Sequence, residues 1–196
     1  MSGRAPLLKQ ALDWAAVWHR GQRRKYPPFL DPRTGEGDAV VPYVSHVAGV
    51  VAILSRHGFR DVVLAAGALH DVMEDCGVTY AELAARFGAE VADLVRHASE
   101  EDKSASWEER KRRYLERFPG KPWDAQAITL ADKIDNLQSI VVCATSFGDP
   151  WPLFKRGRDA QLARYRELLT LAHALPTHAL IDEYAAALAD VEALPA

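Results

Sequence analysis

From residue 8 almost to the C-terminus, apolar residues recur at three- and four-residue intervals, and no hairpin signal of weight interrupts them. A chain patterned this way buries its apolar surface by packing helix on helix. Residues 8–20 set the pattern with Leu8, Leu12, Ala15, Ala16 and His19. A second helix is expected over 45–57, stopped by Gly58, and Asp61 is a plausible N-cap for a third. Thr79 with Glu82 reads as a capping box for a short helix ending at Phe87, and Gly88 stops it before another begins at 89–99. Ser106 with Glu109 is a second capping box, opening a highly charged helix to Phe118. Residues 119–122 break the chain, Asp124 caps a long helix over 125–145, and Gly148, Pro150 and Pro152 break it again. The last two helices fall within 153–194. The expectation is an all-α bundle of about seven to nine helices, one compact domain over 1–196. It is interrupted by a Pro/Gly-rich loop at 26–42, long enough to serve as a lid.

Charge and composition narrow the function. A formal net charge of −3 argues against a general nucleic-acid binder while leaving room for a local basic pocket. No run of about 18 apolar residues suggests a membrane span, and the N-terminal residues lack the apolar core of a signal peptide. Cys76 and Cys143 have no metal-type spacing and read as free thiols of a reducing compartment, so a cytoplasmic location is expected. The oligomeric state stays open.

The chemistry concentrates at 64–75, LAAGALHDVMED. Read as one helix at about 100° per residue, His70, Asp71, Glu74 and Asp75 span an arc of roughly 140°. His70 would then lie over Glu74, and Asp71 over Asp75. One imidazole and three carboxylates would share a face, with no Lys or Arg between residues 64 and 82 to relieve the charge. His and Asp are usual ligands of divalent transition metals, and the second carboxylate pair could handle a water molecule. The competing reading is an ordinary helix emerging from the core into solvent.

Two further residues could complete a metal site. His46 opens the second helix after PYVS, and Asp132 lies in LADKIDNL behind an apolar lead-in that draws it toward the core. A buried lone carboxylate is costly unless paired or metal-bound. His46, His70, Asp71 and Asp132 would form a four-ligand N/O set. His19, His57, His97, His173 and His178 read as structural or surface residues. Basic residues gather at Arg20, Arg23, Arg24 and Lys25, at 110–113, and at Lys155, Arg156 and Arg158. The first group would suit the dipole at the end of the first helix. Because it leads straight into the long loop, it is also the best candidate for a phosphate pocket.

Together these pieces resemble the HD-domain superfamily of metal-dependent phosphohydrolases. Within it they look most like the hydrolase domain of RelA/SpoT-type enzymes and the stand-alone small alarmone hydrolases. The matching segments are HRGQRRK at 19–25, PYVSH at 42–46, ALHDVMED at 68–75, FG at 87–88 and LADKIDN at 130–136, in the family's order. The resemblance implies that His46, His70, Asp71 and Asp132 hold one divalent metal, typically manganese. It implies that Glu74 and Asp75 position and deprotonate the attacking water, that Arg24 and Lys25 flank the purine and phosphates, and that Asn136 contacts the nucleoside. The implied reaction removes the 3′-diphosphate of guanosine tetra- or pentaphosphate, giving GDP or GTP and pyrophosphate. The substrate, and expected partner, is a small anionic nucleotide. The sequence departs from the family pattern by interposing residues 26–41 between its RRK and PY. Two alternatives therefore accompany the first reading. One is an HD phosphohydrolase acting on another nucleotide or phosphoester, such as an adenosine alarmone or a nucleoside monophosphate. The other is a non-catalytic nucleotide-binding module.

Overall fold

A computed structural model describes residues 6–25, 40–100 and 104–195. Most of the 26–42 loop therefore lies outside the described residues. The elements run α1 (Leu7–Trp18), α2 (Val44–Arg56), α3 (Asp61–Ala68), α4 (Val72–Cys76), α5 (Tyr80–Phe87), α6 (Ala89–Ala98), α7 (Trp107–Arg117), α8 (Trp123–Phe147), α9 (Gly157–His173) and α10 (Ala179–Glu192). No β-strand occurs among the described residues, only an isolated bridge between Arg23 and Pro42. The all-α expectation holds. None of the described helices is long and apolar enough to cross a membrane.

The longest helix, α8, is the spine. It packs against α2, α3, α6 and α10, and every residue from Ala125 to Asp132 is buried. Its Ile128, Leu130, Ile134 and Leu137 are fully covered. The short α3 is enclosed too: everything from Val63 to Ala68 is buried, between α1, α2 and α6. Small residues permit that enclosure. A Cβ added at Gly67 would come within 2.5 Å of Leu54 Cδ1, so any larger residue there would force the buried Leu54 side chain to shift.

Two capping expectations hold and two are displaced. Thr79 and Glu82 form the full reciprocal box, and Ser106 accepts the Glu109 amide. Asp61 and Asp124 sit inside the first turns of α3 and α8, after Arg60 and Pro122. There they serve the positive end of the dipole rather than the cap position. The basic residues at 20–25 lie beyond α1, which ends at Trp18 with His19 as its C-cap.

The largest correction concerns residues 64–75, which do not form one helix. α3 stops at Ala68, and His70 and Asp71 lie in a turn before α4. In an unbroken helix the Gly67 carbonyl would receive the Asp71 amide; here it lies 2.9 Å from Nδ1 of His70. His70 is therefore aimed by a local side-chain–backbone bond rather than by helical phase. α4 then ends at Gly77, whose φ of +70° is the left-handed conformation glycine adopts freely.

Candidate metal centre and its cleft

Four side chains from three places converge. His46 comes from the first turn of α2, His70 and Asp71 from the turn between α3 and α4, and Asp132 from α8. The Nε2 atoms of His46 and His70 are 3.3 Å apart. His46 Nε2 lies 3.4 Å from Asp132 Oδ1, and His70 Nε2 is 3.9 Å from the same oxygen. Asp71 Oδ2 is 2.9 Å from His70 Nε2 and 3.8 Å from His46 Nε2. His46, His70 and Asp132 are buried, and one donor atom of each lies within 4.8 Å of the others. The reading of an exposed helix running into solvent is thereby excluded.

The far side of each ring is held. His46 Nδ1 meets Asp135 Oδ2 at 2.6 Å, and His70 Nδ1 meets the Gly67 carbonyl. With Nδ1–H donating outward, both Nε2 lone pairs face inward, the arrangement of metal-bound imidazoles. Two inward lone pairs beside two carboxylates fit a divalent cation. Without one, a proton takes that role. Burial opposes charging His70, but Asp71 and Asp132 outweigh it and raise its pKa to about 9. Burial likewise opposes ionising Asp71, and His70 reverses this, keeping the carboxyl well below its ordinary range. Tyr43 Oη donates to Asp71, while Lys133 Nζ and Asn136 Nδ2 donate to the two oxygens of Asp132 at 2.6 and 2.5 Å.

Beside these residues is a void of about 30 Å³, lined in part by Glu74, Glu100 and Tyr114. Burial first, then the charges of Glu100, Asp71 and Asp75, raise the pKa of Glu74. Glu100 is itself gripped by Arg110 and Lys111 of α7.

The cleft outside has two lobes of about 260 Å³ each, sharing a wall of Lys25, Asn136, Phe154 and Tyr165. The first lobe joins Arg24, Tyr43 and Asp75 to the apolar Ile140, Leu153 and Phe154. The second brings Lys25, Lys111, Lys133 and Arg164 together with Trp107 and Gln161. The residues expected at the site divide: His70, Asp71, Asp132 and Glu74 line the small void with His46 against His70, Arg24 and Asp75 line the first lobe, and Lys25 and Asn136 line both lobes. Asn136 also accepts from Arg24 Nη2 at 3.2 Å. The phosphate-type cations are more dispersed than the first basic cluster suggested, since α7, α8 and α9 each contribute. Among the other basic residues, Arg112 and Arg113 pair with Glu109 on the surface, and Arg156 pairs with Glu108.

Sequence reasoning missed Asp135, Tyr43, Lys133 and Glu100. Asp135 and Lys133 lie in LADKIDN and Tyr43 in PYVSH. Their proximity to Asp132 and His46 was the available signal. Three of the five histidines read as structural or surface residues make contacts of that kind. His19 is buried against Tyr43, His57 pairs with Glu183, and His178 caps α10.

Residues 32–146 match the family model of the HD domain, and the chain belongs to that family. Its relatives narrow the class. It is 40% identical over 145 residues to the mouse guanosine-3′,5′-bis(diphosphate) 3′-pyrophosphohydrolase MESH1, covering 73% of this chain and 74% of that protein. Human MESH1 matches to the same extent. The corresponding enzyme of Aquifex aeolicus is 30% identical over 137 residues, 69% of this chain and 18% of that longer protein. Among solved structures, a metazoan ortholog of SpoT that hydrolyses ppGpp superposes with a TM-score of 0.76 at 30% identity, covering 100% of both chains. The lmo0812 protein of Listeria monocytogenes EGD-e gives 0.68 at 39% identity, over 73% of this chain and 96% of that one. The fold and the relatives define an HD-domain phosphohydrolase of the alarmone-hydrolase type, and the grouping of His46, His70 and Asp132 supports a divalent metal.

Proposed function

We infer that this protein is a guanosine-3′,5′-bis(diphosphate) 3′-pyrophosphohydrolase, converting ppGpp or pppGpp to GDP or GTP and pyrophosphate. The observation that carries the reading is the convergence of His46, His70, Asp71 and Asp132 beside Glu74 and a small void, which shares Tyr114 and Lys133 with the cationic lobe of a two-lobed cleft. A divalent cation held by those four residues would supply Lewis acidity toward a phosphate oxygen and lower the pKa of water. The mixed imidazole–carboxylate set accommodates manganese, and we propose it as the ion.

The chain's own residues do the rest. Glu74, with its pKa raised by burial and by Glu100, is a stronger base than an ordinary carboxylate and is assigned to accept the proton of the attacking water. Asp75, which lines the first lobe, orients that water. The half-apolar lobe takes the purine against Ile140, Leu153 and Phe154, with Arg24 at its edge. Asn136, on the shared wall, faces the ribose. Lys25, Lys111, Lys133 and Arg164 neutralise phosphate charge, which strengthens binding in a partly desolvated cleft. A nucleotide substrate and two free thiols accord with a cytoplasmic enzyme built as one HD-type domain.

The test is product analysis. Purified protein is assayed for metal content and incubated with ppGpp, pppGpp, their adenosine counterparts and nucleoside monophosphates. Release of pyrophosphate with GDP from ppGpp supports the reading. Release of inorganic phosphate from monophosphates alone would overturn it.

A further inference from the structure

Asp135 lies three residues beyond Asp132 on α8, with its side chain largely covered. Its Oδ2 receives two donors from different parts of the molecule. One is Nδ1 of His46 at 2.6 Å; the other is Nη2 of Arg24 at 3.3 Å. The first donor belongs to an inward-facing imidazole of the metal set. The second belongs to a guanidinium at the edge of the cleft. α2 is shaped for this carboxylate as well. A Cβ at Gly49, one turn after His46, would lie 1.8 Å from Asp135 Oδ1. Glycine is unfavourable within a helix relative to alanine, and the notch it leaves here is filled by Asp135.

From this arrangement we propose that Asp135 is a positioning residue coupling the nucleotide lobe to the metal centre through one shared oxygen. The proposal rests on the metal reading given above. Arg24 has other acceptors on α8, namely Asn136 Oδ1 at 3.2 Å and Ser139 Oγ at 2.7 Å, so it can loosen from Asp135 without losing its place. When an anionic nucleotide draws the guanidinium toward itself, the Asp135 carboxylate is left to His46. A carboxylate bonded to the outer nitrogen strengthens the imidazole as a metal ligand. A metal on Nε2 in turn polarises Nδ1–H toward Asp135 and weakens its hold on Arg24. Nucleotide and metal therefore tighten one another, each by the same factor.

The experiment uses the full chain and calorimetry, with Mn²⁺ as one probe and GDP as the other. GDP has no 3′-phosphate to place at the metal. In the wild type, GDP tightens Mn²⁺ binding and Mn²⁺ tightens GDP binding equally. Asp135→Asn lowers Mn²⁺ affinity about 10- to 100-fold and removes the mutual enhancement. A residue that merely held α2 against α8 would lower the melting temperature but leave the enhancement factor intact, and that result would overturn the proposal. Gly49→Ala provides a second approach from the opposite helix, because its methyl displaces the same carboxylate. If Asp135→Asn fails to fold by circular dichroism, a folded Gly49→Ala protein with wild-type Mn²⁺ affinity and intact enhancement overturns the proposal equally. Wild-type protein that takes up no Mn²⁺ would instead sink the metal reading on which the proposal depends.

Discussion

His46 Nε2 and His70 Nε2 face each other at 3.3 Å although 24 residues separate them in the chain. Two neutral imidazoles do not choose that geometry alone; a cation or a shared proton has to lie between them and the carboxylates of Asp71 and Asp132. Which of the two is present sets how stability responds to pH.

In metal-free protein the proton dominates, and His70 carries a pKa raised to about 9 because Asp71 and Asp132 outweigh its burial. A raised folded-state pKa contributes stability that is complete below the unfolded value of about 6.5 and is lost as pH climbs through the folded one. The His70 contribution should therefore fall by on the order of 1–3 kcal/mol between pH 6.5 and 9, against an opposite slope from Lys121, whose pKa burial lowers to about 7. Saturating metal, which displaces the proton, should flatten the His70 slope. Melting curves across this range, with and without chelator, check it. The same pH dependence of melting temperature with and without metal would refute the assignment, since Lys121 contributes equally to both curves.

Glu74→Gln should lower kcat about 10²- to 10⁴-fold while leaving metal content stoichiometric, because Glu74 lines the void without belonging to the four-residue set. The pH profile adds a sign. A base works deprotonated, so a raised pKa moves the acid limb of the rate upward in pH. After burial, Glu100 is the largest cause of that rise. Glu100→Gln should therefore shift the acid limb to lower pH. An unmoved limb would show that Glu74 is not the group titrating there.

The candidate quartet was legible because each member lies in a short motif whose neighbours reveal its surroundings: an apolar lead-in before Asp132 and a charge cluster without cations around His70. The path by which those residues meet was not. Nothing in LAAGALHDVMED marks a break at residues 69–71 as a proline would, and the break is instead accompanied by the bond between His70 Nδ1 and Gly67 O. Asp135 was hidden for a similar reason. Its significance comes from the notch at Gly49 on another helix, a tertiary relation with no local periodicity. The cationic lobe draws single residues from α7, α8 and α9, so no run of basic residues announces it, whereas the visible run at 110–113 is half committed to surface ion pairs.

Tyr43 anchors Asp71 through its hydroxyl and lines the first lobe. Tyr43→Phe keeps the ring against His19 and His46 but leaves Asp71 one donor short. A hydrogen bond to a charged group contributes about 1.5–3 kcal/mol, and this one is made without metal, so the melting temperature of the metal-free protein should fall, and metal affinity should fall roughly 10- to 100-fold as Asp71 loses its orientation. Calorimetric titration with Mn²⁺ reads this directly. Unchanged affinity would mean that Asp71 is held in place by its other partners alone.

Arg164 lies over the Trp107 ring at 3.7 Å and lines the cationic lobe. If that lobe receives the phosphates remote from the reacting bond, Arg164→Ala should raise KM for ppGpp about tenfold or more, the loss of one charge-assisted contact. Its kcat should stay near the wild-type value, since the interaction is made equally in ground and transition states. Steady-state kinetics separate the two. A fall in kcat at constant KM would place Arg164 at the reacting phosphate instead.

The segment between Lys25 and Val40 leaves and rejoins the described structure at a clip. Arg24 N–H donates to the Val41 carbonyl at 2.9 Å, and Tyr43 N–H donates to the Gln22 carbonyl at 3.0 Å. The clip fixes the ends of the segment independently of its length, and for a flexible connection closure entropy changes by only about 0.6 kcal/mol for each doubling of length. Shortening residues 26–39 should thus leave the melting temperature nearly unchanged. The same clip carries Arg23, Arg24 and Lys25, which line the lobe assigned to the purine, so the ratio of kcat/KM for guanosine over adenosine alarmones should shift. A paired assay of both substrates with a melting curve decides the matter. A collapsed melting temperature with an unchanged ratio would make the segment a structural support for the fold, with no part in choosing the base.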